Sequence, residues 1–329
     1  LVGSEMCIRD RFKMMVGDMV NEKQKGLAYS IQSFLCNAGS LVGFLFPFIF
    51  TWIGISNIAP QGVVPDSVIY SFYIGAAILI LCVIYTTVKV KEMPPAEYAE
   101  YHGITEEEKK EKINMVKLLV KAPKAFWTVG LVQFFCWFAF MFMWTYTNGS
   151  VAANVFDAPT VETVVNGANK VVLDTKSIQY QNAADWVGVL FAVQAIGSVL
   201  WAVCIPMFKN RKLIYSLSLV LGGIGFISTY FVHNQYVLFI SFLLIGCAWA
   251  AMLALPFTIL TNALSGGHMG TYLGLFNGTI CIPQIVAATL GGSILALFTP
   301  KGMLPPEINM LVMAGVMLII GAVCVYLIK

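Results

Sequence analysis

The chain has 329 residues, of which 58% are hydrophobic and 11% charged, and its mean hydropathy is +0.79. A typical soluble domain carries about 25% charged residues, and a soluble fold could not remove this much apolar surface from water. The composition excludes a soluble enzyme, a nucleic-acid-binding protein and a disordered protein. It predicts a chain whose solvent is a lipid bilayer.

The start of the chain resembles a translated sequencing adapter. The segment LVGSEMCIRD back-translates without a gap into a stretch similar to a transposase adapter read in frame. Segments of this kind are excluded from fold reasoning. We expect residues 1–11 to be an artefact, and the natural sequence to begin near Arg11 or Phe12, within a gene whose start is missing.

Long apolar stretches follow along the rest of the chain. A helix needs about 20 apolar residues to cross the hydrocarbon core of a bilayer, and the centres of these stretches contain no Asp, Glu, Lys or Arg. The predicted fold is therefore an all-α polytopic membrane protein. The eight predicted spans are 30–53, 68–88, 125–147, 186–208, 213–232, 236–260, 270–298 and 308–328.

The distribution of Lys and Arg predicts the orientation. When alternate loops are assigned to the same side, one side carries three of these residues in 13–25, eight in 89–124 and three in 209–212, and the other side carries three in total. Cytoplasmic loops are enriched in Lys and Arg. We expect a protein of the cell (inner or plasma) membrane with the 89–124 loop in the cytoplasm and the 148–184 loop outside.

A weak internal repeat predicts how the spans are organised. Asp18–Ser40 can be aligned with Asn262–Gln284 at a constant offset of 244 residues, with Gly26 and Gly270 identical. The repeat relates the first span to the seventh, so its unit is six helices. Parallel repeats of six spans resemble the architecture of major facilitator transporters, in which the visible spans would be helices 5–12 of 12.

The same register predicts the domains. Residues 12–92 would be the remnant of an N-terminal six-helix bundle, comprising the end of helix 4 and helices 5 and 6. Residues 93–122 would be a cytoplasmic linker with a short surface helix over 105–117, and 123–329 would be the C-terminal six-helix bundle. The glycines of Gly222-Gly223-x-Gly225 are typical of helix packing rather than of a nucleotide loop, because no strand precedes them.

Four stretches resemble the sugar–cation symporter branch of this superfamily, which includes sucrose–proton and maltose–proton carriers. They are 17–34 (beginning GDMVNEKQKG), 131–138 (LVQFFCWF), 248–257 (AWAAMLALPF), and 270–277 (GTYLGLFN) with 282–285 (IPQI). The resemblance implies uptake of a disaccharide or glucoside by alternating access, coupled to a proton or to sodium. It also implies a monomer without a cofactor. The family's coupling carboxylate lies in its first helices and has no counterpart here.

One helix face combines an amide with aromatic rings. In span 125–147 the helical spacing places Gln133, Trp137, Phe140 and Trp144 on one side. Amides bond to sugar hydroxyls, and flat rings stack on the apolar faces of sugars. We predict that Gln133 and Trp137 bind substrate. The alternative is structural: the rings pack against lipid or other helices, and the amide bonds to a neighbouring helix.

Amides in three other spans are further candidates. Asn277 and Gln284 are seven residues apart and share a face. Pro283, directly before Gln284, is expected to kink the helix. Asn37 and Gln194 are the remaining predicted substrate contacts. In the span of Asn37, the motif Gly39-x-x-x-Gly43 is expected to let another helix approach closely.

Charges at the cytoplasmic edge suggest a gate. Asp18 precedes Lys23 and Lys25 at the start of the first complete span. A carboxylate near helix ends can accept bonds from N–H groups and pair with a base in one conformational state. The resemblance supports a gating role for these three residues, whereas the plain alternative is ordinary loop charge.

Two other functions stay open. A major facilitator transporter of a different small solute would share the spans and the repeat, and a polytopic membrane receptor would share the spans without needing the repeat. An intramembrane enzyme would need carboxylates or histidines inside the spans, and the sequence has neither there. The three histidines have no metal-binding spacing.

Overall fold

The computed structural model describes residues 24–55, 66–91, 115–165, 168–264, 269–300 and 302–328, together with residues 20, 64, 94 and 97. Most of these residues are helical. In chain order, the elements are α1 (Lys25–Trp52), α2 (Asp66–Lys89), α3 (Met115–Val120), α4 (Lys124–Asn154), β1 (Thr160–Val165), β2 (Ala168–Leu173), α5 (Ile178–Cys204), α6 (Arg211–Ser228), α7 (Leu238–Ala263), α8 (Met269–Phe276), α9 (Gly278–Phe298) and α10 (Ile308–Cys324).

The helices coincide with the predicted spans. Seven helical segments of the described chain are long and apolar enough to cross a membrane, and they match the last seven predicted spans. The first predicted span falls in α1, a helix of 28 residues. Residues 1–11, and all but the last three residues of the surface helix predicted over 105–117, lie outside the described residues.

Helix α4 continues seven residues beyond its predicted end at position 147. The reason lies in its polar side chains. Asn148 donates a hydrogen bond to the Tyr180 hydroxyl at the start of α5, at 2.9 Å, and the Ser150 hydroxyl donates to the Tyr146 carbonyl at 2.7 Å. These bonds satisfy groups that would otherwise compete with the helix backbone.

A β-hairpin occupies the predicted 148–184 loop and was not expected from the sequence. Strand β1 pairs antiparallel with β2, from Thr160 opposite Leu173 to Val165 opposite Ala168. Both strands are rich in Val and Thr, whose branched side chains favour the extended backbone. The fold is mainly helical with this one small sheet among the described residues.

Side-chain caps fix where two of the helices begin. Ser177 precedes α5 and accepts a hydrogen bond from the backbone N–H of Tyr180 at 3.3 Å. Asn210 precedes α6 and accepts one from the N–H of Leu213 at 3.1 Å. Each cap satisfies an N–H group that has no partner within its own helix.

Helices α4 to α10 form one packed bundle. Helix α7 packs against α5 and α6, and α10 packs against α4 and α6. A Cβ added to Gly197 on α5 would lie 2.6 Å from the Leu243 carbonyl oxygen on α7, and one added to Gly223 on α6 would lie 2.9 Å from that of Gly315 on α10. Glycines therefore let these backbones touch, and the packing role predicted for Gly222-Gly223-x-Gly225 is confirmed.

Helices α1 and α2 lie at the edge of the bundle. Helix α1 packs against α5 and α7, whereas α2 contacts α1 and has Ser67 as its buried residue. The close approach predicted at Gly39 and Gly43 is wrong for the described residues, since a Cβ at either position would meet nothing within 4 Å. The contact surface of α1 instead uses Tyr29 and Ser33, both buried. The rotation predicted to relate the first span to the seventh stays a prediction.

Candidate functional site

Gln133 lies in the core of α4, with 1% of its surface exposed. Its Nε2 atom donates a hydrogen bond to the Met252 carbonyl oxygen on α7, at 3.3 Å. That carbonyl has no helical N–H partner, because the residue four positions later is Pro256, and proline has no N–H to donate. Gln133 thus satisfies a carbonyl that the proline leaves free, while its own Oε1 atom is buried without a hydrogen-bond partner among the described residues.

The predicted aromatic face of α4 continues onto α7. Trp249 contributes a ring that lies 5.8 Å from Trp137, 4.9 Å from Phe140 and 5.7 Å from Trp144, measured between ring centroids. Trp137 and Phe140 are buried, and Trp144 is 43% exposed. The rings meet edge to face, an arrangement that aromatic side chains favour. We call Trp137, Phe140, Trp144 and Trp249 the aromatic cluster.

Asn37 is fully buried on α1. Its Nδ2 atom donates to the Ser33 carbonyl oxygen at 2.7 Å, and the Ser33 hydroxyl donates to the Ala250 carbonyl oxygen on α7 at 3.5 Å. The Oδ1 atom of Asn37 is buried and has no hydrogen-bond partner within the described part of the chain. The pair therefore lies at the contact between α1 and α7.

Asn277 lies between α8 and α9, where the helical hydrogen-bond pattern is interrupted. Its N–H bonds to Gly274 three residues back, at 3.2 Å, and its buried Nδ2 atom has no hydrogen-bond partner in the described chain. The interruption comes six residues before Pro283, which lies inside α9, so the expected break is displaced toward the N-terminus. Gln284 is half-buried, so the two predicted amides differ in environment.

Gln194 is buried where α5 approaches α7 most closely. A Cβ added to Gly246 would clash with the Gln194 carbonyl oxygen and would lie 2.8 Å from the backbone nitrogen of Ser198. The backbone of Gln194 therefore takes part in a helix contact. No hydrogen bond of its amide group occurs among the described residues.

The structure brings part of the predicted site together. Gln133, the aromatic cluster and the Ser33–Asn37 pair converge on one short stretch of α7, residues 249–252. Two residues after Asn277, Thr279 contacts α4 at Gly130. No described contact joins Gln194 or Gln284 to this group. Two cavities of the described chain, beside α10 and beside the hairpin, are lined by other residues.

The predicted gate lies largely outside the described residues. Asp18 and Lys23 are not among them, and Lys25 is described only as the first residue of α1. For cofactors, the described residues contain no group of three or more His, Cys, Asp or Glu side chains that could hold a metal ion.

The comparisons with known proteins point to one family. Residues 13–165 match the family model described as Major Facilitator Superfamily. The match covers 153 of the 329 residues, a little under half of the chain, and shows that this part of the sequence is similar to that family. Among the curated proteins compared with it, none matches the chain. The described residues form a mainly helical fold with seven segments long and apolar enough to cross a membrane, which is consistent with the polytopic fold of that family. Members of the superfamily are transporters that bind small-molecule substrates within a membrane.

Three residues of the site region and its surroundings were missed as candidates from the sequence. Trp249 completes the aromatic cluster, and its signal was its position within a stretch that resembles symporters. Pro256 determines what Gln133 bonds to, and its signal was the carbonyl that any helical proline leaves free four residues earlier. Glu307 stands directly before α10, and its signal was a carboxylate at the end of an apolar span.

Proposed function

We propose that this transporter moves a disaccharide or glucoside across the cell membrane by alternating access, coupled to a proton, and performs no chemistry on it. The observation that carries the proposal is a set of three buried amides with unpaired polar atoms, one of which, Gln133, shares a helix face with the aromatic cluster. These atoms are Oε1 of Gln133, Oδ1 of Asn37 and Nδ2 of Asn277. Oδ1 of Asn37 can accept a hydrogen bond and Nδ2 of Asn277 can donate one, and a sugar hydroxyl can take either role with such a partner.

The energy of these groups supports a ligand. A buried polar atom without a hydrogen bond costs about 1–3 kcal/mol, and sugar hydroxyls would recover part of that cost. The aromatic cluster offers flat faces on the same side of α4 as Gln133, and Trp144 reaches the exposed surface. Gln133 is held in place by its bond to Met252, which leaves its Oε1 atom available to a substrate.

We further propose that Gln194 and Gln284 contact substrate in another state of the transport cycle, and that Asp18, Lys23 and Lys25 form a cytoplasmic gate. In this proposal, α1 and α2 belong to the first bundle of the carrier and α4–α10 form the second. The packing of α4–α10 against one another supports the division. The 89–124 loop would be cytoplasmic, and the functional unit would be a monomer.

Sugar binding tests the proposal through the tryptophans. In the purified protein, we expect maltose or sucrose to change the intrinsic fluorescence in a saturable way. Trp137→Phe should abolish most of the change. Trp201→Phe is the matched control, because Trp201 bonds to Ser218 at 2.8 Å away from the aromatic cluster. No response to either sugar in the wild type would overturn the sugar assignment.

Uptake then separates the remaining alternatives. Cells that express the full gene should accumulate labelled sugar and alkalinise the medium when sugar is added, as proton symport requires. Uptake of a different solute without sugar uptake would retain the superfamily and remove the substrate class. Sugar uptake that depends on sodium and leaves the pH unchanged would replace the proton with sodium.

A further inference from the structure

Glu307 lies at the junction between the membrane-spanning part of α10 and the preceding loop. It comes directly before the spanning segment Ile308–Leu327. Its carboxylate rests against the backbone of α4 at Gly149. A Cβ added to Gly149 would lie 2.7 Å from Oε1 of Glu307 and would overlap the other carboxylate oxygen. We call the space that Gly149 leaves open the carboxylate seat.

The seat lacks the partners that an ionised carboxylate needs. Among the described residues, the Glu307 side chain has no ion pair and no hydrogen bond, and it does not cap the N-terminus of α10. Burial raises the pKa of Glu307 from 4.5 to about 7, because water can no longer solvate the charged form. The protonated carboxyl is therefore the form that suits the seat.

Few other ionisable groups lie near the seat. From α4, the Tyr146 phenol interacts electrostatically with Glu307. From β2, Lys170 lines a cavity of about 330 Å³ that Pro305 also lines, whereas Lys301 of the same loop lies outside the described residues. Helix α9 meets Tyr146 at Gly291 and carries no ionisable residue over 284–298. The occupancy of the seat therefore depends mainly on protonation of Glu307.

We propose that Glu307 is a proton-binding site that holds α10 against α4 when protonated and releases it when ionised. A proton passes from water to a carboxylate oxygen, and no other bond is made or broken. On loss of the proton, the carboxylate leaves the seat for water and the start of α10 separates from α4. The proposal rests on the transporter assignment and on proton coupling, but not on the identity of the substrate.

Infrared titration of the purified protein tests the proton site without any transport. In the wild type we expect a protonated carboxyl C=O band that disappears with a midpoint near neutral pH. Glu307→Gln should remove this band. Glu162→Gln is the control, because Glu162 is exposed on the hairpin and its loss should leave the band unchanged.

A second pair of variants separates the seat from the carboxyl itself. Gly149→Ala fills the seat, so the carboxyl of Glu307 should move into water and its midpoint should fall by about one pH unit or more. Gly292→Ala should leave the midpoint unchanged, because a Cβ there meets nothing within 4 Å. A neutral-pH band that survives Glu307→Gln would overturn the proposal.

Hydrogen exchange tests the movement. After correction for the intrinsic pH dependence, the backbone amides of 302–312 should exchange faster above the midpoint than below it in the wild type. Glu307→Gln should make their exchange independent of pH. Wild-type exchange without this pH step would overturn the proposed release of α10. Because neither measurement uses a sugar, failure of the sugar assignment would leave both results interpretable.

Discussion

The bundle of α4–α10 and the pair α1–α2 are both apolar, yet they use their apolar surface differently. In the most apolar stretch of α4, two-thirds of the residues are buried inside the protein, and the share is the same in α7. In α2 it is 6%. The close contacts in the bundle are made at glycines, whereas Gly39 and Gly43 of α1 meet open space. Hydrophobicity therefore does not distinguish a helix that packs in the bundle from one that presents its surface to lipid or to another segment. The difference lies in where backbones touch.

The largest expected effect is at a backbone contact. Gly246→Val should destabilise the protein by about 3 kcal/mol, because overpacking forces α5 and α7 apart. Gly43→Val is the matched control and should change stability by less than about 0.5 kcal/mol. Thermal unfolding in detergent measures both. Equal losses for the two variants would show that the face of α1 is packed as tightly as the bundle.

The next effect depends on the carbonyl that Pro256 leaves free. Gln133→Met should cost about 1–3 kcal/mol, because the Met252 carbonyl is left buried without a hydrogen bond. The same substitution should cost much less in a Pro256→Ala background, where position 256 gains an N–H to bond that carbonyl. A double-mutant cycle of unfolding free energies measures the coupling. Additive costs would contradict the role assigned to Gln133.

The stability of the protein should also depend on pH, because Glu307 at the end of the bundle can bind a proton. The folded pKa is above the ordinary value of 4.5 and lies at about 7, so the folded protein binds the proton more tightly. The stabilisation is fully present below pH 4.5 and is lost as pH rises through 7. A pKa difference of this size corresponds to at most about 3 kcal/mol, which should be seen as a lower Tm in alkaline than in acidic buffer.

Two variants check the source of that pH dependence. Glu307→Gln should give nearly the same Tm at both pH values, whereas Glu162→Gln should retain the wild-type difference. If Glu307→Gln retained it as well, another ionisable group would be responsible.

The smallest expected effect is seen by comparing a hydrogen-bonded aromatic residue on α5 with an exposed one on α2. Trp201→Phe removes a hydrogen bond to Ser218 between α5 and α6 and should cost about 0.5–1.5 kcal/mol. Tyr73→Phe on α2, where the side chain is 69% exposed, should cost nothing measurable. A clear loss for Tyr73→Phe would indicate that α2 has a partner where the described chain shows none.

The sequence predicts the helices well, because a bilayer demands long apolar stretches. It predicts less about which residues touch. The motif at Gly39 suggested helix contact, but the contacts use Gly197, Gly223 and Gly246, since small residues are compatible with either lipid or a neighbour. The hairpin at 160–173 was missed although its signal is in the sequence, since Asn166-Gly167 separates two Val-rich stretches and this dipeptide favours tight hairpin turns.

The candidate site was partly predictable from helical spacing. Helical spacing places Gln133 and Trp137 on one face of α4, which the structure shows as buried core. Spacing within one helix cannot reveal Trp249 or the carbonyl of Met252, because both belong to α7 and depend on how two helices cross. The carboxylate seat at Gly149 was equally invisible, since it joins residues 158 positions apart in the chain.

The contact between Gly223 and Gly315 has a mechanical consequence. Each glycine, given a Cβ, would press within 3 Å of the other's carbonyl oxygen, so α6 and α10 interlock backbone to backbone. We expect the two helices to move together as one rigid unit in any conformational change of the protein. The distance between spin labels on α6 and α10 should stay constant. The distance between a label on either of these helices and one on α1 should change with the conformation.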